Sequence, residues 1–99
     1  MTVPTISSRP QKSMSSVVIY TRPGCGYCAR ALALLQSKGV DYTEFANVNA
    51  DPDRRREMIE KSNGGTTYPQ IFIDGRHVGG SDDLMALERS GQLDKLLAA

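Results

Sequence analysis

The sequence has no tryptophan, a single histidine and only two cysteines, and no stretch of it stays apolar for long. Each shortage closes off a class of protein. A structural zinc site takes about four Cys or His side chains, and one chain offers Cys25, Cys28 and His77. A secreted disulfide scaffold needs more cysteines than this. A staple between positions 25 and 28 would close a tiny loop and remove little entropy from the unfolded chain. No apolar run approaches the ~20 residues of a membrane-spanning helix. A net charge of +1 gives no broad attraction to nucleic acid or an anionic membrane. The cysteine usage fits a reducing, cytoplasmic compartment.

The 99 residues suit one domain with a modest core. The opening "MTVPTISSRPQKSMSS" differs from the rest: it is rich in Ser, Thr and Pro, carries Arg9 and Lys12 and has no acidic residue. It lacks the apolar stretch of a secretory signal, and it is short and without helical period for an organelle-targeting segment. Residues 1–15 are expected to be a disordered extension, with Met14 as an alternative start, and 16–99 the folded domain.

"SVVIYT" (16–21) is β-branched and aromatic and is bounded by Pro23 and Gly24, so it reads as a buried strand. Cys28, Ala31, Leu32 and Leu35 then recur at the spacing of one helix face, and Lys38 and Gly39 supply a stop. "VDYTEF" (40–45) alternates apolar with polar side chains and predicts a second strand, parallel to the first in a right-handed βαβ unit. Asp51 and Pro52 open a second helix, whose apolar face of Met58 and Ile59 is narrow enough to make it the least firmly packed; "SNGG" (62–65) ends it. "PQIFIDGRHVGG" (69–80) predicts a hairpin about Asp74-Gly75. Leu84 and Leu87 mark a third helix closed near Gly91, and Leu93, Leu96 and Leu97 a short fourth. The order β-α-β-α-β-β-α-α calls for one α/β sheet with helices on both faces.

The seam between the first strand and helix, "TRPGCGYCAR", carries the chemistry. A helix starting just after Cys25 presents unpaired N–H groups and partial positive charge to that sulfur. A thiolate there is stabilised, its pKa falls, and it becomes a nucleophile near neutral pH. Arg22 adds a full charge three positions upstream. Cys28 falls one turn later on the inward stripe. The spacing predicts an exposed attacking thiol and a shielded resolving thiol. His77, within the second hairpin strand, reads as an exposed or satisfied polar residue and not as a ligand.

From about Ser16 to Leu97 the chain resembles a glutaredoxin of the bacterial dithiol type, within the thioredoxin-like fold. The resemblance rests on "CGYC" (25–28), "TYPQIFID" (67–74), "GGSDDL" (79–84) and the order of elements. Thioredoxin, with its W-C-G-P-C site, resembles it less, since no Trp occurs. The resemblance implies a four-stranded mixed sheet and a monomeric glutathione-dependent thiol–disulfide oxidoreductase. Its partners would be glutathione and glutathionylated or disulfide-containing proteins, with Cys25 as nucleophile and Cys28 as resolving thiol. An adaptor without activity is disfavoured because both cysteines and the binding motifs are intact.

The same resemblance implies the glutathione site. Thr67-Tyr68-Pro69 matches T-V-P, whose proline is cis and whose preceding residue pairs its backbone with the cysteine of glutathione. Gly80, Ser81 and Asp82 match the segment receiving the γ-glutamyl end. Arg22 and Arg56 match positions facing the glycine carboxylate, and Tyr27 lines the groove. Arg54 and Arg55 are expected to be solvated helix residues. Gly26, Tyr68, Ser81 and Arg22 depart from the common Pro, Val, Cys and Lys. No metal is expected in the monomer. The alternative is a [2Fe–2S] cluster bridging two chains through each Cys25 and a glutathione on each.

Overall fold

The computed structural model of the protein describes residues 16–98, so the expected extension 1–15 lies outside the described residues. The chain runs β1 (Val17–Tyr20), α1 (Gly26–Ser37), β2 (Thr43–Phe45), a 3-10 turn (Val48–Ala50) and α2 (Pro52–Lys61). It continues through β3 (Gln70–Ile73), β4 (Arg76–Gly79), α3 (Ser81–Arg89) and α4 (Gln92–Ala98). The four strands form one sheet in the order β2-β1-β3-β4. β1 and β2 are parallel, and the other neighbours are antiparallel. The sheet is mixed because the helical crossover returns the chain parallel while the tight hairpin reverses it.

Strand alternation divides the core in two. Val17, Ile19, Ile71 and Ile73 face one way and bury against Ala31 and Leu35 of α1, Leu84 of α3 and Leu93 and Leu97 of α4. Tyr20 and Phe72 face the other way and pack with Val48 and with Met58 of α2. Helices therefore cover both faces, as the element order requires. Met58 is the single buried residue of α2, but polar bonds add to its hold. Tyr20 Oη donates to Glu57 Oε2 at 2.5 Å, and Arg54 stacks 3.9 Å from the Phe45 ring centroid.

One boundary and one added turn differ from the sequence reading. β2 begins at Thr43, not Val40, because its partner β1 is four residues long and pairs with it only from Val18 onward. Val40 and Tyr42 instead lie against the helical side of the core. The 3-10 turn has no expected counterpart; it follows Asn47, which takes the left-handed φ of 54° that asparagine tolerates. The hairpin turn is as anticipated: Asp74 and Gly75 both have positive φ, the requirement of a two-residue turn matching strand twist. Ser16 pairs reciprocally with Asp74, donating to its Oδ1 and accepting from its amide, each at 2.8 Å. No helix among the described residues is long and apolar enough to cross a membrane.

Candidate active site

Cys25 is the N-cap of α1, with extended backbone and its sulfur turned back over the first turn. There Sγ accepts from the Cys28 amide at 3.2 Å, and as a thiol it donates to the Tyr68 carbonyl at 3.9 Å. The approach from β1 is fixed against β2 and the turn after it: Thr21 N donates to Phe45 O, Val48 N donates to Thr21 O, and Thr21 Oγ1 donates to Glu44. Both cysteines are free thiols.

The expectation of an exposed nucleophile needs correction. Cys25 is 9% exposed and Cys28 3%. The sulfur that caps the helix must point at the amides of that helix, and the Tyr68 backbone closes over it from the loop before β3. Cys28 is more deeply buried, as its place on the inward stripe requires.

The two thiols are driven apart in acidity. Burial resists ionisation of Cys25, but the Cys28 thiol and amide, the Arg22 guanidinium and the Tyr27 amide together outweigh it and hold the Cys25 pKa below the ordinary thiol value. Burial also comes first for Cys28, and there the Cys25 sulfur adds to it, pushing the thiol up to about 12. Arg22 acts at a distance; its own side chain is exposed and donates to the Pro23 carbonyl at 3.3 Å.

Beside the cysteines lies a groove of about 300 Å³. Tyr27, Thr67, Tyr68, Gly80, Ser81 and Asp82 line it, so the structure brings together six of the positions singled out in the sequence. Tyr27 is 58% exposed, with Arg30 reaching over its ring. The Tyr68–Pro69 peptide is cis, and Pro69 is fully buried behind the groove. At the far end α3 begins. Asp83 Oδ2 accepts from the Gly80 amide at 3.0 Å, and the amides that follow have no acceptor within the helix. The Ser81 hydroxyl is buried there without a partner among the described residues.

Arg22 and Arg56 do not line the groove. Arg56 is exposed on α2 and pairs with Asp53 at 3.1 Å. Arg54, expected to be solvated, is half-buried instead, held between the Phe45 ring and Glu57. Sequence reasoning missed Gln70, His77, Gly79 and Asp83 in the lining. Asp83 carried a usable signal, an acidic side chain at the third helical position. Gly79 has φ of +117°, and a Cβ there would collide with the Asp83 side chain.

Comparison with known proteins bears directly on this site. The family model for glutaredoxin matches residues 17–78. The chain belongs to the glutaredoxin family. It is 56% identical over 86 residues to a glutaredoxin of Pseudomonas aeruginosa, covering 87% of this chain and all of that one. It is 54% identical over 84 residues to glutaredoxin 3 of Escherichia coli K12, covering 85% of this chain and 99% of the other. Among solved structures, the solution structure of a glutaredoxin from Brucella melitensis matches with a TM-score of 0.72 and 57% identity, over 84% of this chain and 88% of that one. A crystal structure of a buckwheat glutaredoxin–glutathione complex matches with a TM-score of 0.74 and 26% identity, over 93% and 84%. As a glutaredoxin, the chain is a thiol–disulfide oxidoreductase of thioredoxin-like fold.

Proposed function

We propose that this glutaredoxin uses glutathione, reducing protein–glutathione mixed disulfides and protein disulfides, with Cys25 as nucleophile and Cys28 as resolving thiol. The Cys25 thiolate attacks the glutathionyl sulfur of a mixed disulfide; a Cys25–glutathione disulfide forms, the old S–S bond breaks, and the protein thiolate leaves and takes a proton. A second glutathione thiolate attacks that sulfur, giving glutathione disulfide and restoring the Cys25 thiolate. With a protein disulfide, Cys25 forms the mixed disulfide with the protein, and Cys28 loses its proton and displaces the reduced protein. The Cys25–Cys28 disulfide left behind is reduced by two glutathiones.

Acidity orders these steps. While Cys25 is a thiolate, its charge and its bond to Cys28 keep Cys28 protonated. Once Cys25 is in a mixed disulfide both influences vanish and only burial opposes ionisation of Cys28, so the resolving thiol is released after the first attack.

The observation that carries the glutathione reading is the buried, unpartnered Ser81 hydroxyl at the start of α3, facing a groove that leads back to Cys25. With the free amides of that helix start it suits the γ-glutamyl carboxylate, while Asp82 suits the adjoining ammonium. The backbone of Tyr68 suits the cysteinyl unit, and Tyr27 flanks it. Arg22 and Arg56, exposed on long stems outside the lining, remain proposed partners of the glycine carboxylate. The buckwheat relative solved as a glutathione complex supports the same reading.

The test is a glutathione-coupled assay on the wild type and two variants. Cys25→Ser is expected to lose all activity, because a hydroxyl cannot form the mixed disulfide. Cys28→Ser is expected to keep deglutathionylation and lose most reduction of protein disulfides. Loss of both activities in a folded Cys28→Ser protein would overturn the assignment.

A second reading, a cluster-bridged dimer, has one observation in its favour: a Cβ at Gly26 would meet nothing within 4 Å, so the approach beside Cys25 is open to another chain. Among the described residues no three His, Cys, Asp or Glu side chains come together as metal ligands. Cys25 of each chain and a glutathione on each would supply the ligands. Anaerobic reconstitution with iron, sulfide and glutathione should then give visible absorption together with a dimer, both lost in Cys25→Ser. A colourless monomer rules it out.

A further inference from the structure

Gln70 is a polar side chain at the start of a central strand, 4% exposed, and every polar atom it owns is used. Its amide nitrogen donates to Thr67 O at 3.0 Å and to Thr67 Oγ1 at 3.2 Å. Its Oε1 lies 2.6 Å from His77 Nε2. A carbonyl can only accept, so the Gln70 nitrogen must face Thr67 and its oxygen must face the imidazole. His77 Nε2 therefore carries the hydrogen and donates. The ring is fixed in turn by Phe72, 5.0 Å away between centroids. A bulge between Ile71 and Phe72 shifts the hairpin register and pairs His77 with Phe72, within reach of Gln70. On the loop side, a Cβ at Gly65 would lie 2.9 Å from the Gln70 amide nitrogen, so that segment closes tightly over it.

We propose that Gln70, held by His77, is a positioning residue for the substrate-binding backbone at Thr67 and Tyr68. The three-residue relay runs from the rim of the groove, through a buried amide, to the residue just before Tyr68. The carbonyl of Tyr68 stands over the Cys25 sulfur. Neither Gln70 nor His77 reaches Cys25, so their effect falls on how well substrate is held beside the sulfur and not on the acidity of the thiol. The segment is also tied from the opposite side, where Tyr68 Oη donates to Asn49 Oδ1 at 2.8 Å. Gln70 and His77 thus set one side of a loop whose other side is already fixed. This inference rests on the reading of the groove as a glutathione site.

The test compares wild type, Gln70→Leu, His77→Phe and the double variant, with a glutathione mixed disulfide of a short cysteine peptide as substrate. His77→Phe keeps an aromatic ring on Phe72 and removes only the donor; being an exposed position, it also serves if Gln70→Leu fails to fold. Gln70→Leu is expected to raise KM by about three- to ten-fold, the weight of one or two neutral hydrogen bonds, with a much smaller change in kcat. His77→Phe should raise KM about two- to three-fold, again with kcat little changed. In the Gln70→Leu background the His77 change should add nothing, because its effect passes through the amide. The pH profile of Cys25 alkylation should be the same in all four. Unchanged KM in His77→Phe, additive effects in the double variant, or a displaced alkylation profile would each overturn the proposal. A wild type that turns over the peptide disulfide without saturating in its glutathione unit would overturn the glutathione reading itself, and this inference with it; saturation in the wild type with indifferent variants would overturn the inference alone.

Discussion

At Cys25 a single sulfur answers to three neighbours: the helix it caps, the second thiol one turn on, and a guanidinium three residues upstream. The last is a surface side chain that can be removed without disturbing the packing. Arg22→Ala should raise the Cys25 pKa toward the ordinary thiol value, since the charge that favours the thiolate is gone. Arg22 is exposed, so water screens it and the effect should be modest, about 1 kcal/mol or less. Iodoacetamide alkylation followed from pH 4 to 9 reads this directly: the midpoint moves up in Arg22→Ala, less so at high salt. Cys28 should stay unmodified throughout that range in both proteins for as long as Cys25 has not reacted. Alkylation of Cys28 ahead of Cys25 at neutral pH would contradict the ordering of the two thiols.

Among the elements, α2 shows how a helix with little apolar surface is kept in place. Its one buried side chain is Met58, and the Tyr20 hydroxyl reaches from β1 to Glu57, which Arg54 and Lys61 also pair. Tyr20→Phe keeps the ring between Phe45 and Phe72 and removes only the bond to the carboxylate. It should cost about 1–2 kcal/mol in urea unfolding, because a hydrogen bond to a charged group is lost while Glu57 keeps its cations. An unchanged unfolding midpoint would mean that Met58 alone secures the helix. Met58 and Ile59 are legible in the sequence as a narrow stripe. The Tyr20–Glu57 bond is not, since the residues lie 37 positions apart and meet only once the crossover has formed. The same divide runs through the site. Cys25 as a helix-capping thiol follows from local spacing, and the Asp74-Gly75 turn from local chemistry. The burial of Cys25 depends on a loop more than forty residues downstream, and the Gln70–His77 contact depends on a bulge that no local pattern announces.

For the molecule as a whole, titration should squeeze stability from both sides. Glu57 is held below the ordinary carboxylate value, by the Tyr20 hydroxyl first and against some desolvation, with Arg54 and Lys61 adding to it. Its folded value lies below its unfolded one, so its stabilisation is complete above the unfolded value and lost as pH falls through the folded one. Lys38 ties the end of α1 to Glu88 of α3 at 2.7 Å and to Asp94 of α4 at 2.8 Å. Its pKa is raised, by the bond to Asp94 and then by that to Glu88, so its contribution is complete below the ordinary amine value and fades as pH climbs past it. Cys28 has the same sign: between the ordinary thiol value and about 12 only the unfolded chain ionises, which favours unfolding. Cys25, held low, opposes it, adding stability as pH rises toward the ordinary thiol range. Urea unfolding midpoints should therefore fall below about pH 4 and again above about pH 9. Cys28→Ser should flatten the alkaline limb, and a midpoint still rising at pH 11 would contradict the assignment.

The reciprocal bonds between Ser16 and Asp74 bring the chain into the sheet beside the hairpin turn. The length of β1, roughly 13 Å at ~3.3 Å per residue, then separates that entry from the loop leading to Cys25. A tether, a fluorescent reporter or a fused domain joined upstream of Ser16 would leave from the end of the sheet opposite the thiols. Immobilised or tagged through that end, the protein should present its groove to incoming disulfides unobstructed. The C-terminal helix is the poorer handle, since Leu93 and Leu97 are built into the core and a label there would pull on the packing itself.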